Sequence, residues 1–351
     1  MKSNSITSRH LFLYFTFVLT ASLIISGCST GNKTERDRFF LLGNEALNDR
    51  EYDEAIHLYT QSIEADPNYA SAYNNRGVAK VEDGRPHEAI LDYNRAIEID
   101  STYKDARFNR IYALEEAGRV DDAFEDLLKL ETAYADSAFI YFYKGLLQTK
   151  LKDYEAGKES FHRAISLDST NTESYVNLAT LHYFQNSLDS AQFWLKYVLK
   201  RDPNEANAYN TLSQVFLAQG EYTLALGALN QALKIVPREP YFLNNRGYVY
   251  LFMDSLETAL KDINKSILAN PMNAWAYRNK GIYYLKKGDY QEAIRLFEDA
   301  LNRNTFLDEI YSYLGEAYHQ QGDKEKACEY WLKGKQQSEA RSISLVRQYC
   351  Q

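Results

Sequence analysis

Apolar residues recur at helical spacing in paired stretches along most of the chain, each pair divided by a short polar break. The pattern is easiest to see between Ala274 and Leu307, AWAYRNKGIYYLKKGDYQEAIRLFEDALNRNTFL, and it repeats every 34 residues without insertion. The eighth position of each copy holds Gly43, Gly77, Gly145, Ala179, Ser213, Gly247, Gly281 or Gly315, with Ile111 as the one large residue. The twentieth holds Ala55, Ala89, Ala123, Gly157, Ala191, Ala225, Ala259, Ala293 and Ala327. Nine copies (36–69, 70–103, 104–137, 138–171, 172–205, 206–239, 240–273, 274–307 and 308–341) fill 306 of the 351 residues. A fixed period of this length means a stack of small units, each burying its apolar face only against a neighbour, so the array counts as one domain.

The break falls at position 15, where Gly84, Gly118, Gly220, Gly288 and Gly322 supply the left-handed conformation that ends a helix. Each copy is therefore predicted as helix, tight turn and helix. Pro86 follows Gly84 at the start of a second helix, where a missing N–H costs nothing. Pro67, Pro203, Pro237 and Pro271 close their copies and give the next helix a clean start. Residues 342–351, with Ile343, Leu345, Val346 and Tyr349, are expected to cap the last copy.

Small residues at positions 8, 20 and 27 and a large apolar one at 24 make the chain resemble a tetratricopeptide repeat (TPR) array. Position 24 carries Tyr59, Tyr93, Leu127, Phe161, Leu195, Leu229, Ile263, Phe297 and Trp331. Position 27 carries Ser62, Ala96, Ala164, Ala232, Ser266, Ala300 and Gly334, with Leu130 and Val198 departing. The resemblance implies an all-α right-handed α-solenoid. Copy 3 departs twice, at Ile111 and Leu130, so its two helices are expected to pack further apart.

By the same resemblance, first helices line a concave groove through positions 2, 5, 6, 9, 12 and 13. Position 6 holds Asn75, Asn109, Asn177, Asn245 and Asn279, broken by Leu41, Tyr143, Thr211 and Tyr313. An amide both donates and accepts, so such a series can hold a peptide backbone irrespective of its sequence. The competing reading is that these amides bond nearby backbone or water. Tyr241, Tyr248, Phe252, Trp275 and Arg278 add an aromatic and cationic patch of the kind that concentrates binding energy. Lys280, Arg246 and Arg76 stand at position 7, turned toward a partner helix, so the carboxylate clamp of chaperone-binding TPRs is not supported.

The N-terminus reads as an export signal. Lys2, Arg9 and His10 precede the apolar run Leu11 to Ile25, too short to span a bilayer comfortably. Ile25-Ser26-Gly27-Cys28 then resembles the bacterial lipobox, which implies diacylglycerol on Cys28 and removal of residues 1–27. Residues 28–35 are expected to be a lipidated cysteine and flexible tether. Ser29 after the cysteine implies the outer membrane, by resemblance to Gram-negative envelope lipoproteins.

Composition narrows the chemistry. With 45% hydrophobic and 14% aromatic residues and six prolines, the chain suits a continuous helical core. The formal charge of −8 becomes −10 without residues 1–27, which carry Lys2 and Arg9 and no acid, and such a surface repels phosphate backbones. Nucleic acid is thus a poor partner. His57, His87, His162, His182 and His319 share no metal-ligand spacing, and no phosphate loop or serine elbow occurs. The acidic pairs Glu115–Glu116 and Asp121–Asp122 read as solvated helix ends, so no enzyme, metal or cofactor is expected. Cys328 and Cys350 could bridge in an oxidising envelope. However, Cys328 takes position 21, which elsewhere holds Ile56, Ile90 and Ile294, and that favours a buried free thiol.

The expectation is a lipid-anchored, non-enzymatic scaffold holding a protein or peptide in its groove, in cell-envelope assembly or maintenance. Carbohydrate or peptidoglycan binding is the alternative, since aromatics with amides also suit sugars.

Overall fold

A computed structural model describes residues 30–304 and 307–350. Cys28 and the export signal lie outside the described residues. Among these the chain forms nineteen helices in stacked antiparallel pairs, the all-α repeat architecture expected. They group into two compact units divided between Asp168 and Ser169. The first holds α1 (Thr30–Asn48), α2 (Tyr52–Ala65), α3 (Ala70–Glu82), α4 (Pro86–Ile99), α5 (Lys104–Glu116), α6 (Val120–Glu131), α7 (Ala138–Lys150) and α8 (Tyr154–Leu167). The second begins with α9 (Thr172–Phe184), α10 (Leu188–Arg201), α11 (Ala206–Ala218), α12 (Tyr222–Ile235), α13 (Pro240–Phe252) and α14 (Leu256–Ala269). It continues with α15 (Ala274–Lys287), α16 (Tyr290–Arg303), α17 (Ile310–Gln321), α18 (Lys324–Gln336) and α19 (Ala340–Tyr349).

The hairpin core is a size match between positions 8 and 24. All nine side chains at position 24 are buried, from Tyr59 to Trp331. Where position 8 is glycine, its backbone lies so close to the partner that a Cβ at Gly43 would stand 2.7 Å from the Tyr59 ring. Glycine faces Tyr59, Tyr93, Phe161, Phe297 and Trp331, whereas Ala179, Ser213 and Ile111 face the smaller Leu195, Leu229 and Leu127. Apart from Gly247, which faces Ile263, a larger residue at position 8 accompanies a smaller one at position 24, as close packing requires. In copy 3 this leaves Ile111 and Leu127 both buried, and α5 meets α6 less extensively than any other hairpin partners meet, as its two departures suggested.

The left-handed turn is more general than the five glycines implied. Position 15 has positive φ in every copy, including Arg50 (63°), Lys152 (63°), Asn186 (58°) and Asp254 (55°). Identical helix packing forces an identical turn, and those copies bear its strain.

Two expectations need correction. The segment from Thr30 to Glu35 is the first part of α1, not a flexible tether. A helix already nucleated by the packed residues beyond it extends backward at one hydrogen bond per residue, and nothing there breaks it. At the other end, α19 carries Cys350 back onto α18 and the two cysteines form a disulfide, with Cα atoms 5.6 Å apart. The free-thiol reading overlooked this return: Tyr349 packs against His319 at 4.7 Å and Trp331 at 5.5 Å, which brings Cys350 to Cys328. Glu339 fastens the other end of α19, accepting hydrogen bonds from the backbone N–H groups of Tyr311 and Ser312 at the start of α17.

Candidate functional site

The position-6 asparagines do not form an isolated ladder. Four of the five reach back to an amide of the preceding copy. In the first unit Asn75 donates to Asn44 Oδ1 at 2.8 Å and Asn109 to Asn74 Oδ1 at 3.0 Å, while Asn74 donates to Asn75 at 3.0 Å. In the second unit Asn245 donates to Asn210 at 2.8 Å, Asn279 to Asn244 at 2.8 Å, and Asn244 to Asn245 at 3.3 Å. Asn177 instead donates to the Glu173 carbonyl of its own helix at 2.9 Å. These bonds pin neighbouring first helices in register and use donors that a peptide would need. The reading that these amides bond nearby groups is thus the one the geometry supports for that share of their capacity. Asn75, Asn109, Asn177 and Asn245 remain half-buried, with part of their hydrogen-bonding capacity facing outward. Asn279 is 0% exposed, and the structure takes it out of the set that can touch a partner.

Arg278 is corrected in the same way. It is 5% exposed, donates from Nε and Nη2 to Asn279 Oδ1 at 3.1 and 3.0 Å, and from Nη1 to the Asp308 carbonyl at 2.9 Å. The chain entering α17 covers it. Its guanidinium lies 4.8 Å from the centre of the Tyr248 ring, a cation–π contact that holds the tyrosine in place. Arg278 therefore shapes the surface from beneath.

What it supports is an aromatic shelf. Phe252 meets Tyr248 edge-on at 4.9 Å and stacks on Tyr222 from α12 at 5.5 Å, and at 43% exposure it is the most open member of the proposed patch. Tyr222, Leu224 and Met253 also line a shallow cavity of about 420 Å³ beside it. Tyr241 is half-buried, its hydroxyl accepting from Asn270 at 3.4 Å. Trp275 is half-buried against the hydrophobic core. The five patch residues thus divide into Phe252 and Tyr248 at the surface, Tyr241 and Trp275 at its margin, and Arg278 below.

Two tyrosines of the second unit join this neighbourhood and escaped notice in the sequence. Burial pushes Tyr183 up to about 12, helped by the Asp308 carboxylate and Tyr248 and opposed by Arg278. Burial likewise raises Tyr313, which neighbours Tyr248 and Arg278. Both hydroxyls stay protonated donors at neutral pH. Tyr313 had registered only as a break in the asparagine series, and Tyr183 sits at position 12, a groove position that carried no pattern.

The position-7 arginines turn toward a partner helix, as expected, and complete a device the sequence did not reveal. Arg76, Arg110 and Arg246 each grip an aspartate of their own second helix, Asp92 at 2.6 Å, Asp126 at 2.6 Å and Asp262 at 2.6 Å. Each also donates to the preceding second helix, at Thr60, Asn94 and Asn230. One guanidinium thereby ties three helices together. Among the described residues, no group of three or more His, Cys, Asp or Glu side chains could hold a metal ion.

Family models described as tetratricopeptide repeat match residues 40–104, 244–305 and 278–338, and another so described matches 149–215. A model described as TPR repeat matches 213–254. No match covers 105–148, the stretch holding Ile111 and Leu130. No match was found among curated proteins. Among solved structures, the APC/C hetero-tetramer Cut9–Hcn1 is similar over 92% of this chain and 77% of the other, at 15% identity and a TM-score of 0.59. A tetratricopeptide repeat protein from Parabacteroides merdae is similar over 81% and 99%, at 15% identity and 0.57. PilF of Pseudomonas aeruginosa is similar over 59% and 95%, at 20% identity and 0.48. At these identities the likeness speaks to the fold.

Proposed function

We propose that the chain, which belongs to the tetratricopeptide repeat family, is a non-enzymatic scaffold that holds a protein or peptide partner beside the bacterial outer membrane, in cell-envelope assembly or maintenance. The observation that carries the partner-binding part is the shelf of Phe252, Tyr248 and Tyr222. A stacked aromatic left 43% exposed, and held by a buried arginine below, has the rigidity and apolar area from which interface hot spots are built. The half-buried amides of Asn245 and Asn177 offer remaining polar groups for orienting a bound segment. Anchoring rests on the basic, apolar, small-small-Cys order ending at Cys28. The Cys328–Cys350 disulfide adds support, since such bridges persist in oxidising compartments.

A photoreactive residue at Phe252 in the cell, followed by identification of what is attached, tests the reading. One dominant protein product is expected, and Phe252→Ala should weaken its capture by about tenfold or more, the scale of a hot spot. Undiminished capture by Phe252→Ala would remove the shelf from the site, and attachment to murein alone would make the ligand a carbohydrate.

A further inference from the structure

The first copy differs from the others on the face where a preceding copy would stand. At position 6, Asn75, Asn109, Asn245 and Asn279 all donate backward to the preceding copy. At position 7, Arg76, Arg110 and Arg246 do the same. Copy 1 has no preceding copy, and at these two positions it carries Leu41 and Leu42, which are 65% and 41% exposed. Positions 3 and 10 show that this is not an interior surface left bare. Elsewhere they hold buried residues such as Ala72, Ala106, Ala79 and Ala113, but α1 has Arg38 and Glu45, both exposed. The stripe is polar at its edges and apolar at its centre, which suits a covered surface better than a solvated one.

The course of the chain says what covers it. The helix starts at Thr30, two residues after Cys28, so a lipid on that cysteine leaves the start of α1 within ~7 Å of the membrane interface. Leu41 lies 11 residues along, ~17 Å at the helical rise, within reach of the bilayer if α1 reclines on it. The end nearer Cys28 carries the exposed Lys33, Glu35 and Arg38, of which Arg38 lies on the stripe and suits anionic headgroups, and Glu45 lies at the far end. We propose that the outer stripe of α1 docks on the lipid surface, with Leu41 and Leu42 in the interfacial layer, so that the membrane serves as the array's N-terminal cap. This rests on lipidation of Cys28 and adds an orientation to it: the first copy lies against the bilayer instead of standing off on a tether.

The test uses the full chain, purified from membranes after native processing and reconstituted in phosphatidylcholine–phosphatidylglycerol vesicles containing brominated acyl chains. Leu41→Trp is compared with Leu91→Trp, whose site on α4 in the same unit is 67% exposed. Quenching of the added tryptophan at 41 at least threefold greater than at 91, with a blue-shifted emission, is the expected result. Equal quenching at both sites, with the protein floating alongside the vesicles, overturns the docking and leaves the anchor standing. Failure to float overturns the anchor and the docking with it. A blue shift at 41 that needs no vesicles and resists brominated lipid also overturns the proposal, because a second copy would then cover the stripe.

Discussion

The match between positions 8 and 24 makes a quantitative prediction at Gly281 and Phe297. A Cβ at position 281 would stand 2.5 Å from Cε1, 2.6 Å from Cδ1 and 3.0 Å from Cζ of Phe297. Relaxed carbon contacts lie at about 3.5–4.0 Å, so the overlap is about 1 Å. The ring is 0% exposed and has nowhere to retreat. Overpacking of this kind costs about 1–3 kcal/mol, and replacing a mid-helix glycine by alanine returns about 1 kcal/mol. Gly281→Ala should thus destabilise by up to about 2 kcal/mol, even though the substitution favours the helix. Phe297→Leu alone leaves a cavity worth about 1–2 kcal/mol. The double variant recreates the Ala179–Leu195 pairing, and its cost should fall short of the sum by about 1–2 kcal/mol. Because repeat arrays unfold piecemeal, native-state amide exchange in α15 and α16 should accompany urea denaturation followed by circular dichroism. Costs that add to within about 0.3–0.5 kcal/mol would refute the steric reciprocity.

Three further outcomes follow from the turns and the charges. Lys152→Gly should stabilise by roughly 0.5–1 kcal/mol in urea melts, because Lys152 occupies a left-handed turn at φ 63° that glycine adopts freely. Arg246→Ala should cost about 3–5 kcal/mol by leaving the Asp262 carboxylate, whose side chain is 5% exposed, without its partner. Arg246→Leu combined with Asp262→Leu should recover most of that loss, and a double variant as weak as the single one would contradict the assignment. Burial holds the Glu205 carboxyl above its ordinary pKa of 4.5, so the folded state binds its proton more tightly than the unfolded state does. That contribution is fully present below pH 4.5 and is lost as pH rises through the raised value, so it lowers stability at neutral pH. Glu205→Gln should flatten this slope in melts taken between pH 4.5 and 7, and an unaltered slope would remove Glu205 as its source.

Features that recur at a fixed interval were legible in the sequence; those that depend on contacts outside it were not. Ala293 and Phe297 announce their burial because every copy makes the same contact there. The partners of the asparagines escaped because Asn109, Asn245 and Asn279 bond residues 35 positions back, one more than the period. Reading down one register position passes them by. Arg76, Arg110 and Arg246 appear in only three copies, and their meaning lies in an aspartate 16 residues on. Arg278 looked exposed because its groove position promised exposure, but the chain entering α17 folds over it. The left-handed turn at Lys152 could not be read from local preference, since lysine disfavours it and only the packing of α7 against α8 demands it.

Position pairs 8 and 24 also record a direction of change. A glycine–aromatic copy cannot pass to an alanine–leucine copy by enlarging the glycine first, because that step drives a methyl group into a buried ring. Shrinking the aromatic first leaves a cavity, which a neighbouring side chain can partly fill, and the glycine is then free to grow. Gly247 shows that the shape of the aliphatic partner matters as well as its size, since a Cβ there would still stand 2.6 Å from Ile263 Cγ1. Exchange between the two kinds of copy therefore begins at position 24, and reconstructed ancestral copies should contain the glycine–aliphatic pair far more often than the alanine–aromatic one.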